Sequence, residues 1–180
     1  PKKIEKVGVL GAGMMGADIA YSSAMCGISV VLKDISKENA DKGKSYSEKL
    51  LSKRVSRKKM TAEKKQQILD RITTTDSNET LEGCDLIIEA VFEDRDLKAT
   101  VTKDAEKVIS NTAIFASNTS TLPITGLAMS SARPDKFIGL HFFSPVDKMP
   151  LVEIIRGKET SDETLAKAFD FVLQIKKTPI

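Results

Sequence analysis

The run Val7-Gly8-Val9-Leu10-Gly11-Ala12-Gly13-Met14-Met15-Gly16 constrains this chain more than any other segment. A short apolar stretch leads straight into three glycines at G-x-G-x-x-G spacing. The residues that follow, Met14 to Met25, are rich in Ala and Met. Such glycines alone carry little weight, but between a strand pattern and a helix pattern they define a β-turn-α unit that cradles a dinucleotide. Gly11 makes the tight turn, Gly13 lets the backbone approach a pyrophosphate, and Gly16 lets helix and strand pack closely. The helix start offers unpaired N–H groups and the positive end of its dipole to the phosphates. Met14 and Met15 fall inside this loop and are assigned to the cofactor site with the glycines.

The next strand, Ser29 to Lys33, ends at Asp34. An acid about 20 residues beyond the glycines accepts hydrogen bonds from the adenosine ribose hydroxyls. It also repels a 2′-phosphate, which favours NAD over NADP, although the cation of Lys33 beside it tempers that preference.

Short, nearly continuous apolar runs recur at Val7–Leu10, Ser29–Leu32, Leu86–Ala90, Ala113–Ala116, Phe137–Leu140 and Leu151–Ile155. Runs of this kind suit strands buried on both faces of a parallel sheet. Helical patterns lie between them: Met14 to Met25, Lys37 to Arg54, a third through Leu97, Val101, Ala105 and Val108, and a fourth opened by Ser161-Asp162-Glu163. This alternation predicts an α/β, Rossmann-type, doubly wound and mostly parallel sheet, formed as one domain over residues 1–180. From Lys37 to Asp70 the alternation lapses into two helical patterns parted around Lys58–Thr61. That stretch is read as a helical hairpin projecting from the sheet. It is dense in cations, among them Lys49, Lys53, Arg54, Arg57, Lys58 and Lys59. They form either a solvated face or a landing site for a polyphosphate ligand.

Composition narrows the function. Hydrophobic residues at 41% supply enough apolar surface for a folded chain. With 28 Lys plus Arg against 25 Asp plus Glu, the net charge of +3 does not point to nucleic acid. No run of about 18 apolar residues offers a transmembrane helix. Cys26 and Cys84 stand far apart, which supports neither a zinc site nor a disulfide and fits a reducing compartment. No metal site is read. The chain begins at Pro1 without a leader-like segment and stops at Lys177-Thr178-Pro179-Ile180 as a strand begins, so it reads as a piece of a longer protein.

The second half holds the only histidine, His141, at the end of the strand Phe137–His141, and an acid, Glu153, inside the apolar run Leu151–Ile155. A carboxylate within a strand of that character needs a partner. Beside an imidazole it fixes the tautomer and stabilises the imidazolium once a proton is taken up. A hydroxyl oxidation needs that kind of base. The cluster Ser117-Asn118-Thr119-Ser120-Thr121 follows another strand end, where open α/β sheets bind ligands. Ser120 is placed to bond a substrate oxygen or, alternatively, to cap the short helix after Pro123. Glu89-Ala90-Val91-Phe92-Glu93 follows a further strand end and is within reach of the nicotinamide half.

These segments together resemble the NAD-binding domain of the (S)-3-hydroxyacyl-CoA dehydrogenases of fatty-acid β-oxidation. The likeness is carried by residues 8–16, 89–93, 116–120, 139–146 and 151–155. Leu32-Lys33-Asp34 and Phe143–Met149 are most similar to the multifunctional branch, which includes the alpha subunits of the bacterial fatty-acid oxidation complex and of the mitochondrial trifunctional protein. The resemblance implies that His141 is the catalytic base and Glu153 its paired acid. It implies that Ser120 contacts substrate and nicotinamide, that Glu93 and Lys98 touch the nicotinamide ribose side of NAD, and that Asp34 holds the adenosine ribose. The basic hairpin, with Arg57 foremost, is implied to hold the CoA nucleotide. Ser144 stands where single-function members carry an Asn in contact with NAD. The implied substrate is a 3-hydroxyacyl-CoA. The implied setting is an oligomeric protein, partnered by a thiolase subunit, in the bacterial cytoplasm or, as an alternative, the mitochondrial matrix. A helical domain after Ile180 is implied to complete the active site, so residues 1–180 alone are expected to bind NAD and to turn over almost no substrate. The rival readings are a single-function 3-hydroxybutyryl-CoA dehydrogenase and a non-catalytic NAD-binding module. The latter leaves His141 and Glu153 without a purpose.

Overall fold

The computed structural model describes residues 3–180; Pro1 and Lys2, the first residues of the domain expected over 1–180, lie outside the described residues. In chain order the elements are β1 (Lys6–Leu10), α1 (Met14–Met25), β2 (Ser29–Lys33), α2 (Lys37–Ser56), α3 (Ala62–Asp70), β3 (Ile72–Thr75), β4 (Leu86–Glu89), α4 (Arg95–Glu106), β5 (Ile114–Ser117), α5 (Ile124–Ala128), β6 (Phe137–Phe142), β7 (Leu151–Ile155), α6 (Asp162–Gln174) and β8 (Thr178–Pro179). The strands form one sheet in the order β3-β2-β1-β4-β5-β6-β7-β8. All neighbours run parallel except β6 and β7, which are antiparallel. The order reverses direction between β1 and β4, and that switch point opens a crevice at the carboxyl ends of the strands. Among the described residues no helix is long and apolar enough to cross a membrane.

The apolar runs become strands because both sheet faces are covered. Val7, Val9, Leu86 and Ile88 pack toward α1, α2, α3 and α6, while Leu10, Ile87, Phe115 and Phe137 pack toward α4 and α5. Successive strand residues point to opposite faces, so a strand buried twice must be apolar throughout. Strand β3 is absent from the apolar runs in the sequence. It reads Ile-Thr-Thr-Thr at the sheet edge, where β-branched shape suits the pleat, Thr73 is exposed and the buried Thr75 hydroxyl meets that of Thr80 at 2.9 Å.

Most helices start on a side-chain cap: Ser36 accepts from the Asn39 N–H at 3.1 Å, Asp94 from Leu97 at 2.8 Å and Ser161 from Thr164 at 3.1 Å. Helix α1 starts on Gly13, which has no side chain to offer its first-turn N–H groups. The hairpin expected over 37–70 forms as α2 and α3, turning at Arg57–Thr61, where Lys58 adopts a φ of +58°. Its base does not stand free. Ala40, Gly43, Ser47 and Leu51 are buried on one face of α2, and a Cβ on Gly43 would lie 2.8 Å from the Ala12 Cβ. Lys49, Lys53, Arg57, Lys58 and Lys59 remain exposed.

Candidate active site at the switch point

A cleft of about 850 Å³ lies at the carboxyl ends of the parallel strands, lined from one side by the glycine loop and from the other by the ends of β4, β5 and β6. Each glycine of the loop has its own reason. Gly11 sits at φ +97°, and a Cβ there would meet the Ala90 carbonyl oxygen at 2.7 Å. A Cβ on Gly16 would lie 1.7 Å from the Gly11 carbonyl oxygen, so the first turn of α1 rests directly on the loop. A Cβ on Gly13 would meet nothing within 4 Å. Its open side is the cleft, where a methyl group would occupy space a phosphate needs. Met14 and Met15 also line the cleft.

Asp34 anchors this loop. Its Oδ2 accepts the Ala12 N–H at 2.8 Å and its Oδ1 accepts the Ile35 N–H at 2.6 Å. Each carboxylate oxygen retains a lone pair for another donor. Lys33, Asn39 and Lys42 line the same end of the cleft. The uncapped helix start, the open face at Gly13 and the carboxylate of Asp34 fit a dinucleotide lacking a 2′-phosphate.

At the other end a buried ion pair organises two walls. Glu89, at the end of β4, and Lys98, on α4, are both fully buried and meet at 2.6 Å. Glu89 also accepts the Ser117 hydroxyl at 2.6 Å and the Val91 N–H at 3.0 Å, which satisfies the carboxylate. Burial pushes its carboxyl above the usual range, while Lys98 pulls the other way. Lys98 continues to the Asn118 carbonyl at 3.3 Å and to Glu93 at 3.6 Å. Burial works to raise the Glu93 carboxyl as well. Hydrogen bonds from the Thr119 hydroxyl (2.7 Å) and the Ser120 N–H (3.1 Å), with the charge of Lys98, nevertheless hold it below the usual range. Lys98 therefore does not line the cleft; it reaches the cleft through Glu93 and Asn118.

His141 lines the cleft, and Glu153 stands directly opposite it in the antiparallel register of β6 and β7. Directly opposed residues share a sheet face, which brings the two side chains together. His141 Nδ1 lies 3.3 Å from Glu153 Oε1. A carboxylate only accepts, so Nδ1 carries the hydrogen and donates it, leaving the lone pair on Nε2. The Phe143 ring is 4.7 Å from the imidazole.

Of the residues singled out in the sequence, Gly11, Gly13, Met14, Met15, Asp34, Glu93, Ser120, His141 and Ser144 border one cleft. Gly16, Lys98 and Glu153 stand behind it, each in contact with a bordering residue. Arg57 lies apart, exposed at the hairpin turn. Ser120 does not cap α5; Thr119 holds that turn, accepting from the Leu122 N–H at 3.0 Å. Sequence alone assigns Asn118 no individual role; its side chain accepts the Phe142 N–H at 3.0 Å and so ties the end of β5 to β6 beside His141. Its signal was an amide at a strand end within a polar cluster.

Fold and cleft together define a dinucleotide-binding domain with a histidine–carboxylate pair at its mouth. Residues 6–180 match the family described as "3-hydroxyacyl-CoA dehydrogenase, NAD binding domain", and the chain belongs to that family, whose cofactor is NAD. It is 48% identical over 179 residues to the fatty acid oxidation complex subunit alpha of Idiomarina loihiensis and 45% identical to that of Colwellia psychrerythraea. Each match covers 99% of this chain and 25% of the relative, so the chain spans about a quarter of these curated proteins. Among solved structures it is similar to (S)-3-hydroxybutyryl-CoA dehydrogenase from Ralstonia eutropha, with a TM-score of 0.95 and 41% identity over 99% of this chain and 63% of that one. The 3-hydroxybutyryl-CoA dehydrogenase from Escherichia coli K12 gives a TM-score of 0.95 at 33% identity, with 38% of that chain covered.

Proposed function

We propose that the protein to which this domain belongs oxidises (S)-3-hydroxyacyl-CoA to 3-oxoacyl-CoA as one activity of a multifunctional β-oxidation enzyme. The observation that carries this reading is the His141–Glu153 pair opposed across β6 and β7 at the mouth of an NAD cleft. The chemistry that NAD supplies when bound is acceptance of the hydride leaving C3. His141 Nε2 takes the proton of the C3 hydroxyl as that carbon becomes a carbonyl. Glu153 holds the Nδ1 hydrogen and stabilises the imidazolium. Ser120 orients the substrate oxygen, and Glu93 holds both the Ser120 backbone and its hydroxyl in place. Asp34 and the glycine loop bind the adenosine ribose and the pyrophosphate. Lys98 sets the Glu93 carboxylate on the nicotinamide ribose side, and Ser144 contributes a hydroxyl near the same end. Arg57 and its neighbouring lysines bind the CoA nucleotide.

The multifunctional assignment rests on 48% and 45% identity, over 99% of this chain, to two proteins named as alpha subunits of a fatty acid oxidation complex. The name of the bacterial relatives, subunits of a complex, supports an oligomeric assembly; the thiolase partner and the cytoplasmic setting belong to the same proposal. The test is consumption of NADH with acetoacetyl-CoA by the full-length protein, beside NADH binding and turnover by residues 1–180. Binding by the domain and turnover by the full-length protein alone support the reading. A full-length protein that binds NADH yet reduces no 3-oxoacyl-CoA of any chain length overturns it.

A further inference from the structure

We propose, accepting the reading of the cleft given above, that Asp18 and Asp147 share one proton and so position the β6–β7 loop, with Phe143 and Ser144, against the cofactor cleft. Asp18 lies on α1 just beyond the glycine loop and is only 2% exposed. A carboxylate sealed in a helix needs donors or a cation. Its Oδ2 accepts the Asp147 N–H at 3.1 Å, but its buried Oδ1 has no partner. The side chain facing it is a second acid, Asp147, whose Oδ1 accepts the Tyr46 hydroxyl at 3.3 Å.

The surrounding groups offset the pair only in part. Tyr21 comes from α1, Tyr46 and Arg54 from α2, and Lys177 from the segment after α6. Among the described residues neither acid makes an ion pair. The Lys177 ammonium donates instead to the Val146 and Met149 carbonyls, at 2.5 and 2.6 Å. Two facing carboxylates cannot both ionise without cost. One proton removes the repulsion and gives the orphan Oδ1 a hydrogen to donate. Burial accordingly pushes Asp18 up to about 6, helped by the facing charge of Asp147.

The consequence falls on residues 143–150. That loop is held by Asp18 and Tyr46 through Asp147, by Lys177 through two carbonyls, and by the buried Val146. Its leading residues, Phe143 and Ser144, line the cleft, and the Phe143 ring touches the imidazole of His141. The acid pair therefore links the helix that opens the cofactor site to the loop beside the base. With the shared proton in place the link is closed; once Asp18 loses it, repulsion from Asp147 loosens the link.

The test is hydrogen exchange of the peptide covering 143–150 in the full-length protein, corrected for intrinsic rates, with NADH affinity titrated in parallel. In the parent, exchange rises and NADH affinity falls, each about tenfold, from about pH 5 to about pH 7.5. Asp18→Asn keeps the acceptor for the Asp147 N–H and supplies a permanent donor, so it holds both readouts at their low-pH values throughout. Asp147→Asn removes the repelling charge and flattens both profiles as well. Exchange independent of pH in the parent, or an Asp18→Asn protein that keeps the parental pH profile, overturns the shared proton. A loop that loosens while NADH affinity stays constant overturns the positioning role. Neither readout needs turnover, so absence of dehydrogenase activity bears only on the proposed function.

Discussion

Gly13 and Gly16 are three residues apart in one motif, yet the structure assigns them opposite consequences on replacement by alanine. A Cβ on Gly16 would lie 1.7 Å from the Gly11 carbonyl oxygen and 2.9 Å from its carbon. Both are backbone atoms, so no rotamer change relieves the overlap and α1 must move off β1. Overpacking of this kind costs about 1–3 kcal/mol and at times more. Alanine regains about 1 kcal/mol of helix propensity, which does not offset a backbone clash of this depth. Gly16→Ala should therefore lose about 2 kcal/mol of stability, and NADH binding with it, because the N–H groups of the first turn no longer face the cleft. Gly13 has a φ of −69° and open space at its Cβ, so alanine fits the fold. Gly13→Ala should stay within about 0.5 kcal/mol of the parent in stability. Its methyl group projects where the pyrophosphate must approach, and NADH affinity should fall at least about tenfold, or 1.4 kcal/mol. Urea unfolding followed by circular dichroism gives the first quantity and NADH fluorescence titration the second. Parental NADH affinity in Gly13→Ala would refute the cradle, and parental stability in Gly16→Ala would refute the close approach.

Four further substitutions probe the rest of the cleft and the ion pair behind it. In the full-length protein, His141→Gln and Glu153→Gln should each lower turnover of 3-hydroxyacyl-CoA about 10²-fold or more with little change in NADH affinity; near-parental turnover in either would move the base elsewhere. Asp34→Ala removes the anchor of the Ala12 and Ile35 N–H groups along with the ribose contact, so NAD binding should weaken by about 1.5–3 kcal/mol in calorimetric titration and the preference over NADP should narrow. Lys98→Met leaves Glu89 buried without its cation and should cost about 3–5 kcal/mol in urea unfolding, and adding Glu89→Gln should restore part of it. A Lys98→Met protein of parental stability would show that the pair is not what holds the two walls together.

The sequence discloses what chain order discloses. The glycine loop, Asp34 and the strand runs are local, and their physical meaning depends on neighbours a few residues away. Long-range partners are another matter. Lys98 is separated from Glu89 by one turn and one helix start, and no periodicity distinguishes an inward-facing lysine from the exposed ones beside it. Only the geometry shows that its ammonium is closed in by Glu89, Glu93 and the Asn118 carbonyl. The acid at Asp18 hides for a similar reason. It falls in a stretch of α1 buried on every side, Gly16 to Ala24, where helical periodicity is lost because there is no solvent face to mark. Strand β3 escapes because three threonines do not read as apolar, although an edge position accepts them.

The meeting of His141 and Glu153 lies between these cases, because one constraint on it is visible in the chain. A parallel connection needs a crossover of roughly a dozen or more residues. The stretch from Phe143 to Pro150 is shorter than that, and Pro145 and Pro150 argue against a helix within it. If 137–142 and 151–155 are neighbouring strands, they must be antiparallel, although every earlier pair in the sheet is parallel. Antiparallel pairing then leaves only the register open. A slip of one residue would turn Glu153 away from the histidine and would also expose Val152, which is fully buried beside Phe142. Burial of Val152 thus selects the register, and the register opposes the acid to the base. The same short connection leaves the loop little slack, so a hold on Asp147 is transmitted to Phe143 and Ser144 at the cleft instead of being absorbed by the chain between them.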